Sequence, residues 1–180
     1  MSDRKTVLGP LELADGCWVM GDSRRPGGSW LEFRAEGLYR HVPAAEGELI
    51  PWSRVMLVMG VILGRGYPSR GGNFTMLGLL GGLPGFKGRG GGHLFMTLRH
   101  PYEDRSVHFD RHPCWYTSAE VVLLDELLTQ TVAAGEVHRL ADVDWLGRMV
   151  ARLAPLTPRT YGGMRKAVTQ ARQAEESAEG

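Results

Sequence analysis

Apolar and polar residues alternate in short runs over the first two thirds of this chain, then recur every three or four positions over the last third. That change of period predicts strands followed by amphipathic helices. Cys17 to Met20 is the first strand candidate, and it leads into 21–28, a run made almost wholly of turn residues. Residues 29–34 and 38–42 flank Glu36 and Gly37, a tight turn, so the two runs predict a hairpin. Pro51 interrupts the valine- and methionine-rich stretch 48–63. Proline has no amide to give to a ladder, so a bent or split strand is expected there. Residues 93–99 and 105–111 predict a second hairpin around the turn chemistry of 100–104.

Helical signals begin at Thr117. Glu120 stands three residues on, the spacing of a capping box, and Val121, Leu124, Leu128 and Val132 follow at helical intervals before Gly135. Asp142 is placed to cap a second helix whose stripe is Leu146, Met149, Val150 and Leu153, with Pro155 and Pro158 beyond it. The tail 164–180 has good helix propensity but little to bury, so it is expected to fray. About half of the 25 glycines fall within 60–92, around an apolar island at 74–83 that fits a strand, a membrane contact or a partner-binding segment.

At 180 residues one domain with a substantial core is the natural size. Division into a β-rich part, 1–135, with a glycine-rich insertion at 60–92, and a helical extension, 136–180, follows from the pattern. The formal net charge of +1 argues against whole-molecule attraction to nucleic acid. Two cysteines, Cys17 and Cys114, are too few for a disulfide scaffold. The first ten residues lack the apolar centre of a signal peptide, which together with the cysteines predicts a cytoplasmic protein, with attachment at the periphery of a membrane as a further option.

Three short segments, 30–33 (Trp30, Leu31, Glu32, Phe33), 36–39 (Glu36, Gly37, Leu38, Tyr39) and 50–55 (Ile50, Pro51, Trp52, Ser53, Arg54, Val55), give an apolar strand, a glycine turn and an isoleucine-proline-tryptophan lead-in to a valine-rich strand. In these the chain resembles the bacterial pleckstrin-homology-like domains over residues 16–134. The resemblance implies an α+β fold: an antiparallel barrel or sandwich of about seven strands, its two sheets packed orthogonally, with the helix after Thr117 plugging one open end. It also implies a module that binds lipids, peptides or proteins and has no common catalytic site. The loop that carries basic residues in phosphoinositide-binding members here offers Arg24 and Arg25, with Arg34 further along.

Two constellations carry candidate chemistry. His108, Asp110, His112 and Cys114 are spaced by two, so a continuous strand puts them on one face as ligands for zinc or iron, with His100 across the hairpin. A solvated polar face opposite Val107 and Phe109 has the same spacing. The glycine-rich run 85–92, with Lys87 and Arg89, reads first as a mobile linker, and its backbone amides could also hold an anion. The expected function is a non-enzymatic adaptor that binds a protein or anionic partner, an anionic lipid surface included, through Arg24, Arg25, Arg34, Lys87 and Arg89. The alternative is a metal-dependent enzyme or metal-binding protein that uses His108, Asp110 and His112. No cofactor is called for by the first reading.

Overall fold

The computed structural model describes residues 7–63, 91–110 and 116–179. Six strands form one antiparallel meander: β1 (Val7–Leu8), β2 (Leu11–Ala14), β3 (Cys17–Met20), β4 (Trp30–Phe33), β5 (Gly37–His41) and β6 (Glu48–Pro51). A second antiparallel sheet holds β7 (Val55–Leu63), β8 (Gly92–Leu98) and β9 (Glu103–Phe109). Three helices follow: α1 (Ser118–Ala133), α2 (Val143–Leu153) and α3 (Tyr161–Glu179). The fold is α+β with two antiparallel sheets, and among the described residues these do not close into a barrel.

Both predicted hairpins are present. Trp30 to Phe33 pairs with Leu38 to His41, and Gly92 to Leu98 pairs with Glu103 to Phe109. Gly37 is required at its position because a Cβ there would stand 2.3 Å from the carbonyl oxygen of Ile50, the backbone to which β5 pairs. The stretch 48–63 is split at Pro51, as expected: a 3-10 turn, Trp52–Arg54, carries the chain from the first sheet to the second. Two strands had no counterpart in the sequence reading. β1 and β2 extend the first sheet beyond Cys17, turning at Gly9 and Pro10 so that Leu8 faces Leu11.

Thr117 caps α1 as the sequence indicates. Its hydroxyl accepts from the Glu120 amide at 3.2 Å, and the Glu120 carboxylate accepts from the Thr117 amide at 2.7 Å. Gly135, at φ +74°, ends the helix and lets the Glu136 amide reach the Thr131 carbonyl at 3.0 Å. Asp142 caps α2 by accepting from the amides of Asp144 and Trp145.

The tail differs from expectation. It is helical to Glu179, and Met164, Val168 and Ala171 are buried in the same cluster as the inner faces of both sheets. Full burial of a Met or Val side chain contributes about 1.5–3 kcal/mol each, enough to offset part of the ordering entropy that fraying would save. Glu175 is buried as well and accepts from Arg148 at 2.6 Å and Arg152 at 2.9 Å. Burial alone would raise its pKa; the two guanidinium groups outweigh that and hold it below the usual carboxylate value.

Candidate functional site

Three backbone features converge where β7 begins. The first is the 3-10 turn, whose Trp52 is buried and donates its indole N–H to the Arg34 carbonyl at 2.8 Å. The second is a break in the β7–β8 register. Val55 and Met56 pair with Leu98 and Thr97, but the next pair is Met59 with Met96, so Leu57 and Val58 are extra residues on β7. The third is the C-terminal end of α1, where Gly135 turns the chain into a 3-10 segment, Val137–Ala141.

Between them lies a cleft of about 520 Å³. Trp52, Val55, Met56 and Leu57 form one wall, and Val132, Gly135 and Val137 the other. Arg99 and His138, both exposed, supply its polar lining. Arg99 is held by its own backbone and side chain: its amide donates to the Arg54 carbonyl at 2.9 Å, and Nε donates to the Ser53 carbonyl at 2.7 Å. Leu57 is 64% exposed and has φ +60°. A bulky side chain in the left-handed region costs about 1–2 kcal/mol, so the bulge holds an apolar group outward at the expense of backbone energy.

Farther along β7 the edge is closed by α1. The Asp125 carboxylate accepts from the Val61 amide at 2.8 Å, and the Thr129 hydroxyl donates to the Met59 carbonyl at 3.1 Å. Burial pushes the Asp125 carboxyl up to about 6; the Val61 amide opposes the rise and the neighbouring Glu126 adds to it.

Among the described residues, the predicted basic residues Arg24, Arg25 and Arg34 have separate surroundings. Arg24 donates to Glu12 at 2.7 Å, and Arg25 is exposed in the turn between β3 and β4. Arg34 donates to Glu32 at 2.8 Å and lies 3.8 Å above the Tyr39 ring. Glu32 also bonds His41 at 2.8 Å, and His41 stacks on Trp30 with ring centres 3.5 Å apart. Arg34 thus belongs to an aromatic and charged cluster with Trp30, Glu32, Tyr39 and His41 on β4 and β5. Lys87 and Arg89 lie outside the described residues, as do the island 74–83, His112 and Cys114.

His108 and Asp110 are neighbours, with Nδ1 to Oδ1 at 3.8 Å. The other Asp110 oxygen accepts from the Ser29 amide at 2.7 Å. His100 does not join them: it sits in the hairpin turn beside Tyr102. The imidazole opposite His108 is instead His93, with ring centres 5.1 Å apart. Burial, and then the nearby His108, lower the His93 pKa. Among the described residues no group of three or more His, Cys, Asp or Glu side chains is arranged to hold a metal ion.

The cleft is what the sequence reading missed. Its walls come from 52–57, 99 and 132–138, segments that meet only after both sheets and α1 have packed. Its one local signal is length: β7 has nine residues against seven in β8, a surplus that shows only once the two are paired.

No family model, curated protein or solved structure matches this chain. Among the described residues, no helix is long and apolar enough to cross a membrane.

Proposed function

We propose that the protein is a non-enzymatic interaction module that binds an extended segment of a protein partner in the cleft between β7 and the end of α1. The observation that carries this reading is the Leu57–Val58 bulge: two apolar side chains, 64% and 41% exposed, held beside an apolar cleft on an edge strand. An edge strand takes a further strand through its backbone, and a neighbouring pocket selects one side chain of it. Trp52, Val55 and Val132 suit an apolar anchor, while Arg99 and His138 suit an acidic neighbour of that anchor.

The element order supports a pleckstrin-homology-like reading of the domain. β3 to β6, then β7 to β9, then α1 give four strands, three strands and a helix, with β1, β2, α2 and α3 as additions. A protein partner is favoured over an anionic lipid surface, since Arg24 and Arg34 face Glu12 and Glu32.

Selection of displayed peptides on the full chain tests the proposal. Peptides with an apolar anchor are expected, and Leu57→Asp should weaken them at least about tenfold, the scale of a buried apolar anchor, with Arg25→Glu leaving them unchanged. Selected peptides that bind Leu57→Asp as tightly as the parent chain would overturn the cleft as the site.

A further inference from the structure

His93 and His108 stand directly opposite each other on β8 and β9. The burial alternation of β8, in which Gly92, Leu94, Met96 and Leu98 are buried and His93, Phe95 and Thr97 are not, puts His93 on the face turned away from the core. His108 shares that face, between the buried Val107 and Phe109. The imidazole centres are 5.1 Å apart with an interplanar angle of 65°. Two imidazoles bound to one tetrahedral zinc at about 2.0–2.1 Å have ring centres about 5 Å apart, so the backbone already sets the spacing that a chelate needs.

We propose that His93 and His108 form a two-imidazole site for one divalent transition-metal ion of the zinc class. Imidazole nitrogen suits zinc, nickel and copper ions over the hard cations, which prefer oxygen. The carboxylate of Asp110 lies beside the second ring: its Oδ1 is 3.8 Å from Nδ1 of His108, an ion-pair distance longer than a hydrogen bond, and its Oδ2 accepts from the Ser29 amide. Closing of that gap when a metal takes Nε2 would make Asp110 an outer-shell partner. Among the described residues these two are the protein ligands, and the other positions of a tetrahedral zinc are taken by water or a further donor. The site is separate from the cleft at Leu57 and does not depend on it.

Calorimetric titration of the full chain, purified without a metal-affinity tag, with Zn²⁺ alone tests this. One equivalent should bind at micromolar concentrations. His93→Gln and His108→Gln should each weaken binding at least roughly tenfold, and Asp110→Asn should weaken it less, in keeping with ligand and outer-shell roles. The metal-free melting temperature of each variant monitors folding. Should His93→Gln unfold, the half-exposed His108→Gln decides alone. Failure of the parent chain to bind Zn²⁺ at micromolar concentrations would overturn the site, as would unchanged affinity in His108→Gln.

Discussion

The two ends of β7 treat the same sheet edge in opposite ways. From Met59 to Val61 the edge is sealed by α1: Thr129 donates to one backbone oxygen and Asp125 accepts from one amide. At Leu57 and Val58 the ladder breaks, apolar side chains turn outward, and a cleft opens beside them. An unprotected edge invites pairing with any strand, so proteins cover, bend or charge it. Here one half is covered by α1, and the other is bent at the Leu57–Val58 bulge with apolar side chains outward.

Gly60→Ala should break the sealed half most severely. A Cβ at position 60 would lie 2.7 Å from the Asp125 carboxylate and force it off the Val61 amide. A loss of about 2–3 kcal/mol is expected, readable by urea denaturation.

Asp125 gives the sealed half a pH dependence whose sign is opposite to that of a salt-bridged carboxylate. Its folded pKa, raised to about 6 from 3.8, means that the folded state holds the proton more tightly than the unfolded chain. The associated stability is therefore fully present below about pH 4 and is lost as pH rises through 6, by on the order of 3 kcal/mol. Asp125→Asn should flatten that window and raise stability at pH 7–8. A melting-temperature profile from pH 4 to 8 in which the variant and the parent run parallel would contradict the assignment.

The open half yields the smallest stability effect and a divergence between stability and binding. Leu57→Gly relieves the left-handed strain at φ +60° and should stabilise the chain by up to about 1 kcal/mol, net of the entropy glycine adds to the unfolded state. The same change removes the outward leucine, so peptide binding should fall while the melting temperature holds or rises. Parallel loss of both would show that Leu57 supports the fold rather than a partner.

Elements with a complete local signal were legible in the sequence. The capping box at Thr117 and Glu120, the glycine stop at 135, the Asp142 cap and the break at Pro51 each depend on residues within a few positions of one another. β1 and β2 were not legible, because a two-residue and a four-residue strand around Gly9 and Pro10 carry too few alternating positions. The α3 stripe of Met164, Val168, Ala171 and Glu175 is spaced by four, three and four, but an alanine and a glutamate hide its apolar period. Glu175 reads as a solvated charge until Arg148 and Arg152 of α2 are seen beside it.

The candidate sites divide in the same way. His108 and Asp110 were visible as a spacing, and the second hairpin was visible as a pattern, but His93 as the facing imidazole depends on a register that strand pairing sets. The basic residues were visible as types; which carboxylates they meet was not.

By itself the sequence determined the α+β class, the two hairpins, the positions of α1 and α2 and the break at Pro51, because caps, turns and periodicity act through neighbours along the chain. Tertiary structure alone decided that Arg24 answers Glu12, that α3 is anchored, that His93 faces His108, and that half of the β7 edge stays open. Each of those depends on contacts between residues far apart in sequence, whose partners are chosen by packing and register rather than by local preference.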